Sequence, residues 1–104
     1  MQIIPLSATE SQSLLVQVNG QSTQLNVYQK FYGVFMDVYL EGTLVIGGVL
    51  CLNLNLIIRS QYLGFSGDFA FYDTQGDADP TYSGLGSRYK LIYCLPSDLQ
   101  AGQY

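Results

Sequence analysis

The chain has 104 residues, of which 48% are hydrophobic and only 12% charged, and its formal net charge is −4. This length predicts one domain, residues 1–104, with a single modest core. Its four Lys and Arg residues are scattered along the sequence, whereas neutralising phosphates needs clustered positive charge, so direct nucleic-acid binding is excluded as a main function.

The first half of the chain alternates apolar and polar residues with a period of two, which predicts β-strands. Leu14 to Val18 precedes Asn19-Gly20, a strong hairpin signal, and the return strand runs from about Thr23 to Lys30. After Gly33, the strand Val34 to Leu40 places Val34, Met36, Val38 and Leu40 on one face and Phe35, Asp37 and Tyr39 on the other. Glu41-Gly42 predicts a second tight turn and therefore an antiparallel meander.

The second half continues the strand pattern. Thr43 to Ile46 predicts a short strand that Gly47-Gly48 interrupts, and Val49 to Arg59 predicts a long strand with its leucines on one face. A strand around Phe69 and Phe71 follows, then an irregular connector from Thr74 to Ser87, then a strand from Arg88 to Leu95. Pro96 ends it and leaves a tail of about one helical turn or coil.

These patterns predict an all-β fold of about seven to eight short strands, arranged as a small antiparallel β-sandwich or β-barrel. No membrane span is expected, because the most apolar stretch, Thr43 to Ile58, is shorter than the ~20 residues a spanning helix needs and contains Asn53 and Asn55. The N-terminus has neither the basic nor the long apolar segment of a secretory signal.

The composition also points to an assembly. An average soluble domain has roughly 25% charged residues, whereas this chain must build its surface from Asn, Gln, Ser, Thr and nine Tyr. Tyr joins a large apolar ring to a hydrogen-bonding tip, and depletion of charge is typical of interface cores. We therefore expect an obligate subunit rather than an independent monomer.

The residues offer little chemistry. Histidine is absent, which removes the commonest general base and metal ligand. Cys51 and Cys94 lack CxxC spacing; they are expected to be reduced and buried, although a single bridge between them stays open. Asp73, Asp77 and Asp79 crowd one loop, but no Glu closes a calcium loop, and turn chemistry explains them better. We expect no enzyme activity, no metal and no cofactor.

Six segments together resemble a known family, the small baseplate plug proteins of tailed bacteriophages, described in a simple contractile-tailed cyanophage. They are Ile3-Ile4-Pro5-Leu6, Tyr28-Gln29-Lys30, Asp37-Val38-Tyr39, Tyr62-Leu63-Gly64-Phe65, Phe71-Tyr72-Asp73-Thr74-Gln75-Gly76 and Tyr82-Ser83-Gly84-Leu85-Gly86-Ser87-Arg88. The resemblance covers most of the chain and transfers no reactive residue. It implies a structural subunit of the tail baseplate, assembled in the host cytoplasm, that helps seal and organise the distal end of the tail tube before DNA ejection.

The implied partners are the baseplate hub, the tail tube and the spike or needle, with several copies around the tail axis. Candidate interface residues are Phe35, Asp37 and Tyr39 on one strand face, and Tyr82, Leu85 and Arg88 in the connector; Tyr and Arg are common interface anchors. Two alternatives stay open: a carbohydrate- or peptide-binding β-sandwich module that uses exposed aromatic residues, and a small hydrolase that uses the aspartate loop.

Overall fold

A computed structural model describes residues 2–31, 33–59 and 66–95. It places seven strands in two antiparallel sheets, which makes the fold a sandwich rather than a closed barrel. The strands are β1 (Gln2–Ile4), β2 (Ser11–Val18), β3 (Gln21–Lys30), β4 (Gly33–Leu40), β5 (Thr43–Leu50), β6 (Asp68–Asp73) and β7 (Tyr89–Cys94). The predicted all-β class is confirmed. The motif Tyr62-Leu63-Gly64-Phe65 and the predicted tail after Leu95 lie outside the described residues.

The larger sheet is a meander in the order β2-β3-β4-β5. Two-residue turns connect β2 to β3 and β4 to β5, and all four turn residues have positive φ: Asn19 50°, Gly20 75°, Glu41 50° and Gly42 83°. Such turns match the right-handed twist of the strands they join. The two predicted hairpins are therefore confirmed, and they fix the register of the sheet.

The smaller sheet has the order β1-β7-β6, so its central strand is the last of the described strands. β1, which the sequence pattern did not predict, pairs with β7 through Gln2↔Tyr93 and Ile4↔Leu91. The outer edge of β6 is covered by the segment after β5, since the Leu54 N–H donates to Phe71 O at 2.8 Å. Among the described residues, no helix is long and apolar enough to cross a membrane.

The core lies between the sheets. The inner face of the larger sheet contributes aliphatic side chains, and the inner face of the smaller sheet contributes aromatic ones, with Phe69 and Tyr93 in edge-to-face contact at 5.5 Å between ring centroids. The fully buried members are Val18, Leu25, Val27, Val34, Met36, Val38, Ile4, Cys51, Ile57, Phe69, Phe71, Leu91 and Tyr93. The predicted division of β4 into a buried Val/Met face and an outer aromatic face is confirmed.

The predicted strand from Val49 to Arg59 is wrong. β5 continues through Gly47-Gly48 to Leu50 with an irregular register, and the chain then crosses to the smaller sheet as irregular structure. Leu54 has a φ of 62° and is 46% exposed, so the leucines do not form one buried face. Ile57 and Ile58 are buried instead.

Asp68 binds the end of this crossover segment. Its carboxylate is 3% exposed, and it accepts hydrogen bonds from the N–H groups of Ile57 (3.2 Å), Ile58 (2.7 Å), Arg59 (2.7 Å) and Phe69 (2.6 Å). Without this acceptor, three successive backbone donors would lose their side-chain partner at the edge of the core. A buried carboxylate therefore holds the crossover in place.

Candidate functional site

The outer face of the larger sheet carries the first candidate group. Register places Tyr28 beside Phe35, Asn26 beside Asp37, and Gln24 beside Tyr39, on β3 and β4 respectively. These side chains are half-buried. They form a surface of aromatic residues with polar groups at its centre.

Asp37 organises this surface. Its Oδ1 atom accepts hydrogen bonds from the Tyr28 hydroxyl at 2.9 Å and from the Gly48 N–H at 2.7 Å. Burial, together with the hydrogen bond to the Asp37 carboxylate, raises the pKa of Tyr28 to about 12. The Tyr28 and Phe35 rings stack with 6.2 Å between centroids, and the Lys30 ammonium lies 5.6 Å from the Tyr28 centroid. The carboxylate thus fixes the aromatic side chains in one arrangement.

The second candidate group lies in the loop between β6 and β7. The Arg88 guanidinium donates from Nε and Nη2 to the two oxygens of Asp73, both at 2.8 Å. Asp73 also accepts the N–H groups of Gln75 and Ala78, each at 2.9 Å. This bidentate pairing with Arg88 is the main reason the pKa of the Asp73 carboxyl lies well below its usual range. The loop is closed at its base by an ion pair.

The far part of this loop is held against the end of the sandwich. A single 3₁₀ turn, Tyr82–Gly84, begins where the Tyr82 N–H donates to Gln29 Oε1 at 3.1 Å. Gly86 has a φ of 82°, and a Cβ there would collide with the backbone carbonyl oxygen of Leu6. Since Gln29 follows Tyr28 in β3, the loop meets the sheet at the end where Tyr28 and Phe35 lie.

The six candidate interface residues are therefore not equivalent. Phe35, Asp37 and Tyr39 share the outer face of β4, while Tyr82 is 38% exposed and the Arg88 side chain 36%. Leu85 differs, because it is 3% exposed and packs into the core. Its expected role as a surface contact needs correction: the hydrophobic side chain anchors the loop from beneath.

The three aspartates of the loop between β6 and β7 do not share a ligand. Asp73 binds Arg88, Asp79 Oδ1 accepts the Asn53 N–H at 2.9 Å, and Asp77 is exposed. Across residues 2–31, 33–59 and 66–95, no three acidic or cysteine side chains converge to form a metal site. Asp73 and Asp79 thus serve as acceptors, Asp73 for Arg88 and backbone donors and Asp79 for a backbone donor.

The two cysteines are buried thiols that form no disulfide with each other, and they lie in different clusters. Cys51 lies in the core between the sheets, while Cys94 packs with Ala70 and Ile92 on the opposite face of the smaller sheet. The bridge that the sequence left open is not formed. Burial raises the pKa of Cys51 to about 12, so this thiol is a poor nucleophile at neutral pH.

Sequence reasoning missed two parts of this arrangement. The first is the hydrogen bond from the Tyr28 hydroxyl to Asp37; the alternation that places both side chains on the outer face is the sequence signal that could have found it. The second is the burial of the Asp68 carboxylate, which no spacing in the sequence indicates.

Comparison with known protein families matches residues 1–96 to a family described as "Cyanophage baseplate Pam3 plug gp18". The chain belongs to this baseplate plug family. The match confirms the predicted resemblance, and it identifies the chain as a component of a phage tail baseplate that associates with other tail proteins. No curated protein matches the chain. For the plug family, the surfaces described above are candidates for contacts within the baseplate rather than a catalytic centre.

Proposed function

We propose that this protein is a plug subunit at the distal end of the phage tail tube, where it helps seal the tube and organise its end until DNA ejection. The family match over residues 1–96 carries this proposal. The composition supports it independently, because a chain with 12% charged residues and nine Tyr suits a subunit buried among partners. The hub, the tail tube and the spike or needle are the proposed partners.

The proposed action is mechanical and the protein is catalytically inert. Several copies surround the tail axis, since tail tubes are rotationally symmetric and their plugs should share that symmetry. Contacts that are strong in the resting tail are broken or rearranged when the tail is triggered. The net charge of −4 suits a conduit for DNA, because a negative lining resists adhesion of a passing polyanion.

Two surfaces are proposed to contact neighbouring subunits: the outer face around Phe35, Asp37 and Tyr39, and the loop surface with Tyr82 and Arg88. Truncating an interface anchor costs roughly 2 kcal/mol or more of binding free energy. Tyr82→Ala should therefore reduce incorporation into tails while the isolated protein keeps its thermal stability. The matched control is Gln75→Ala, an exposed position at the other end of the same loop.

Cryo-electron microscopy of intact tails tests the location. We expect density for this chain at the distal end of the tube, in several copies, with the Tyr82 loop against a neighbour. Density on the capsid, on peripheral fibres or outside the particle would refute the plug role. Specific binding of the purified protein to a glycan or peptide would instead support the binding-module alternative.

A further inference from the structure

Among the described residues, no further strand pairs with the two outer strands of the larger sheet, β2 and β5. Edge strands are commonly blocked by charged residues, proline or bulges, because their unpaired backbone groups attract other strands. β2, with the sequence SQSLLVQV, has no charge and no proline, and its register with β3 is continuous over all eight residues. β5, with the sequence TLVIGGVL, is also uncharged and has no proline, and its pairing with β4 is irregular only beyond Leu44.

The backbone groups at the free edge of β2 can be assigned. Glu10 O accepts the Gln29 N–H at 2.7 Å, so the Glu10 backbone faces β3. Along an antiparallel strand, the backbone N–H and C=O groups of successive residues point alternately to one side and to the other. The N–H and C=O groups of Ser11, Ser13, Leu15 and Gln17 therefore point away from β3. Two of the carbonyls have side-chain donors: Thr9 Oγ1 at 3.3 Å on Ser11 O, and Gln2 Nε2 at 3.5 Å on Gln17 O. Between these two carbonyls, no backbone or side-chain donor from the described part of the chain bonds the carbonyl groups of Ser13 and Leu15.

One row of side chains on the outer face ends in an exposed leucine at each edge. The row runs Leu15, Gln24, Tyr39, Leu44 across the four strands. Leu15 is 81% exposed and Leu44 is 54% exposed. Thr43 pairs with Leu40 beside the two-residue turn, so the Thr43 backbone groups face β4. Leu44 is the next residue, and its backbone groups therefore face the outer edge of β5.

Strand direction determines how two copies could join. Because the sheet has four antiparallel strands, β5 runs opposite to β2. A rotation about an axis along the strands then sets β5 of one copy beside β2 of the next as an antiparallel pair, and the same step repeats around a ring. A contact between β2 and β2 would instead be two-fold and stop at a dimer.

We propose that the plug subunits join edge to edge, β5 of one copy against β2 of the next, with Leu44 beside the neighbour's Leu15. This inference rests on the proposed ring of copies and deepens it by naming the joint. The two leucines bury each other on the outer face, and the uncharged strands bring no like charges together. Beyond Leu44, Gly47 and Gly48 present no side chain at the irregular part of β5, so a neighbouring backbone can approach there.

A complementation experiment with purified full-length protein tests the joint. Leu15→Lys blocks the β2 edge and Leu44→Lys blocks the β5 edge, and each should weaken association by at least about tenfold, the effect of exposing one leucine that the contact buries. Phe31→Lys is the matched control, because it makes the same substitution type at a 94% exposed apolar residue in the β3–β4 turn, away from both edges. Sedimentation velocity and native mass spectrometry report the species formed.

We expect wild type and Phe31→Lys to form closed rings and each edge variant alone to be monomeric. An equimolar mixture of the two edge variants should give 1:1 dimers, because only one intact β5 edge and one intact β2 edge remain. A monomeric wild type, rings in Leu15→Lys, or a Leu44→Lys variant that dimerises alone would overturn the proposal. Circular dichroism of each variant establishes that it is folded.

Failure of this joint and failure of the proposed function give different results. Density at the tube end in intact tails, combined with no complementation in the mixture, removes the edge joint and leaves the plug role. Rings and complementation in solution, combined with no density at the tube end, leave the joint and remove the plug role.

Discussion

Replacing Asp68 with asparagine tests whether one buried carboxylate holds the crossover between the two sheets. Its Oδ1 atom accepts the N–H groups of Ile57, Ile58 and Phe69, and its Oδ2 atom accepts that of Arg59 at 2.7 Å. In Asp68→Asn, the amide oxygen retains the first three as weaker neutral bonds, while the amide NH2 replaces Oδ2 and faces the Arg59 N–H.

The expected cost follows from these contacts. A hydrogen bond to a charged group contributes about 1.5–3 kcal/mol, roughly twice a neutral one. The variant loses the bond from the Arg59 N–H and weakens the three bonds to Oδ1. Of these three, the bond from Ile57 matters least, because the Ile57 N–H also donates to Phe69 O. We expect a loss of about 3 kcal/mol in the free energy of unfolding, a large part of the ~5–15 kcal/mol that domains possess.

Urea denaturation followed by circular dichroism measures this loss. With a slope of about 2 kcal/mol per molar urea, the midpoint should fall by about 1.5 M. Asp77→Asn is the control, because it removes the same charge at an exposed position and should change stability by less than about 0.5 kcal/mol. Native-state hydrogen exchange should accelerate at Ile57, Ile58 and Arg59. Equal midpoints for the two variants would refute the reasoning.

Three further results are expected. The pKa of Asp73 is lowered in the folded state, so its ion pair with Arg88 stabilises the fold fully above the ordinary Asp value of about 4 and loses this contribution as the pH falls through the folded pKa. Arg88→Gln should therefore flatten the acid limb of a stability profile, and an unchanged limb would contradict this. Gly86→Ala should destabilise more than Gly20→Ala in thermal unfolding, since both have positive φ but only Gly86 would collide with backbone; equal shifts would dismiss the close approach. Cys51, 1% exposed with its pKa raised to about 12, should react with a thiol reagent only after denaturation, and labelling of this residue in the native protein would show the core to be open.

The sequence predicted the meander because its turns and strand faces are specified by neighbouring residues. Asn19-Gly20 and Glu41-Gly42 specify their turns, and the alternation in β4 separates Met36 from Asp37 without reference to other strands. The same alternation gave the wrong strand from Val49 to Arg59, because the leucine spacing continues through Leu54 while the backbone there leaves the extended region. The contacts that hold this segment come from later in the chain, since Phe71 O accepts the Leu54 N–H and the Asp68 carboxylate accepts the N–H groups of Ile57, Ile58 and Arg59.

The candidate interface residues were placed by the sequence only where they lie on a regular strand. Strand parity placed Phe35, Asp37 and Tyr39 on the outer face, and the structure agrees. Leu85 stands in an irregular loop between two glycines, where no periodicity indicates which side chains are buried. Its position depends on how Gly86 approaches Leu6, a long-range packing contact that a local pattern does not contain.

The pairing of β1 with β7 also sets the order in which the protein is completed during synthesis. The meander uses only neighbouring strands, whereas Ile3 must find Ile92 across nearly the whole chain, and such distant pairings form slowly because a long loop must close first. The larger sheet is free to form while the ribosome is still translating. The smaller sheet cannot form until its central strand emerges, so an interrupted translation product would expose the apolar inner face of the meander and would be prone to aggregate.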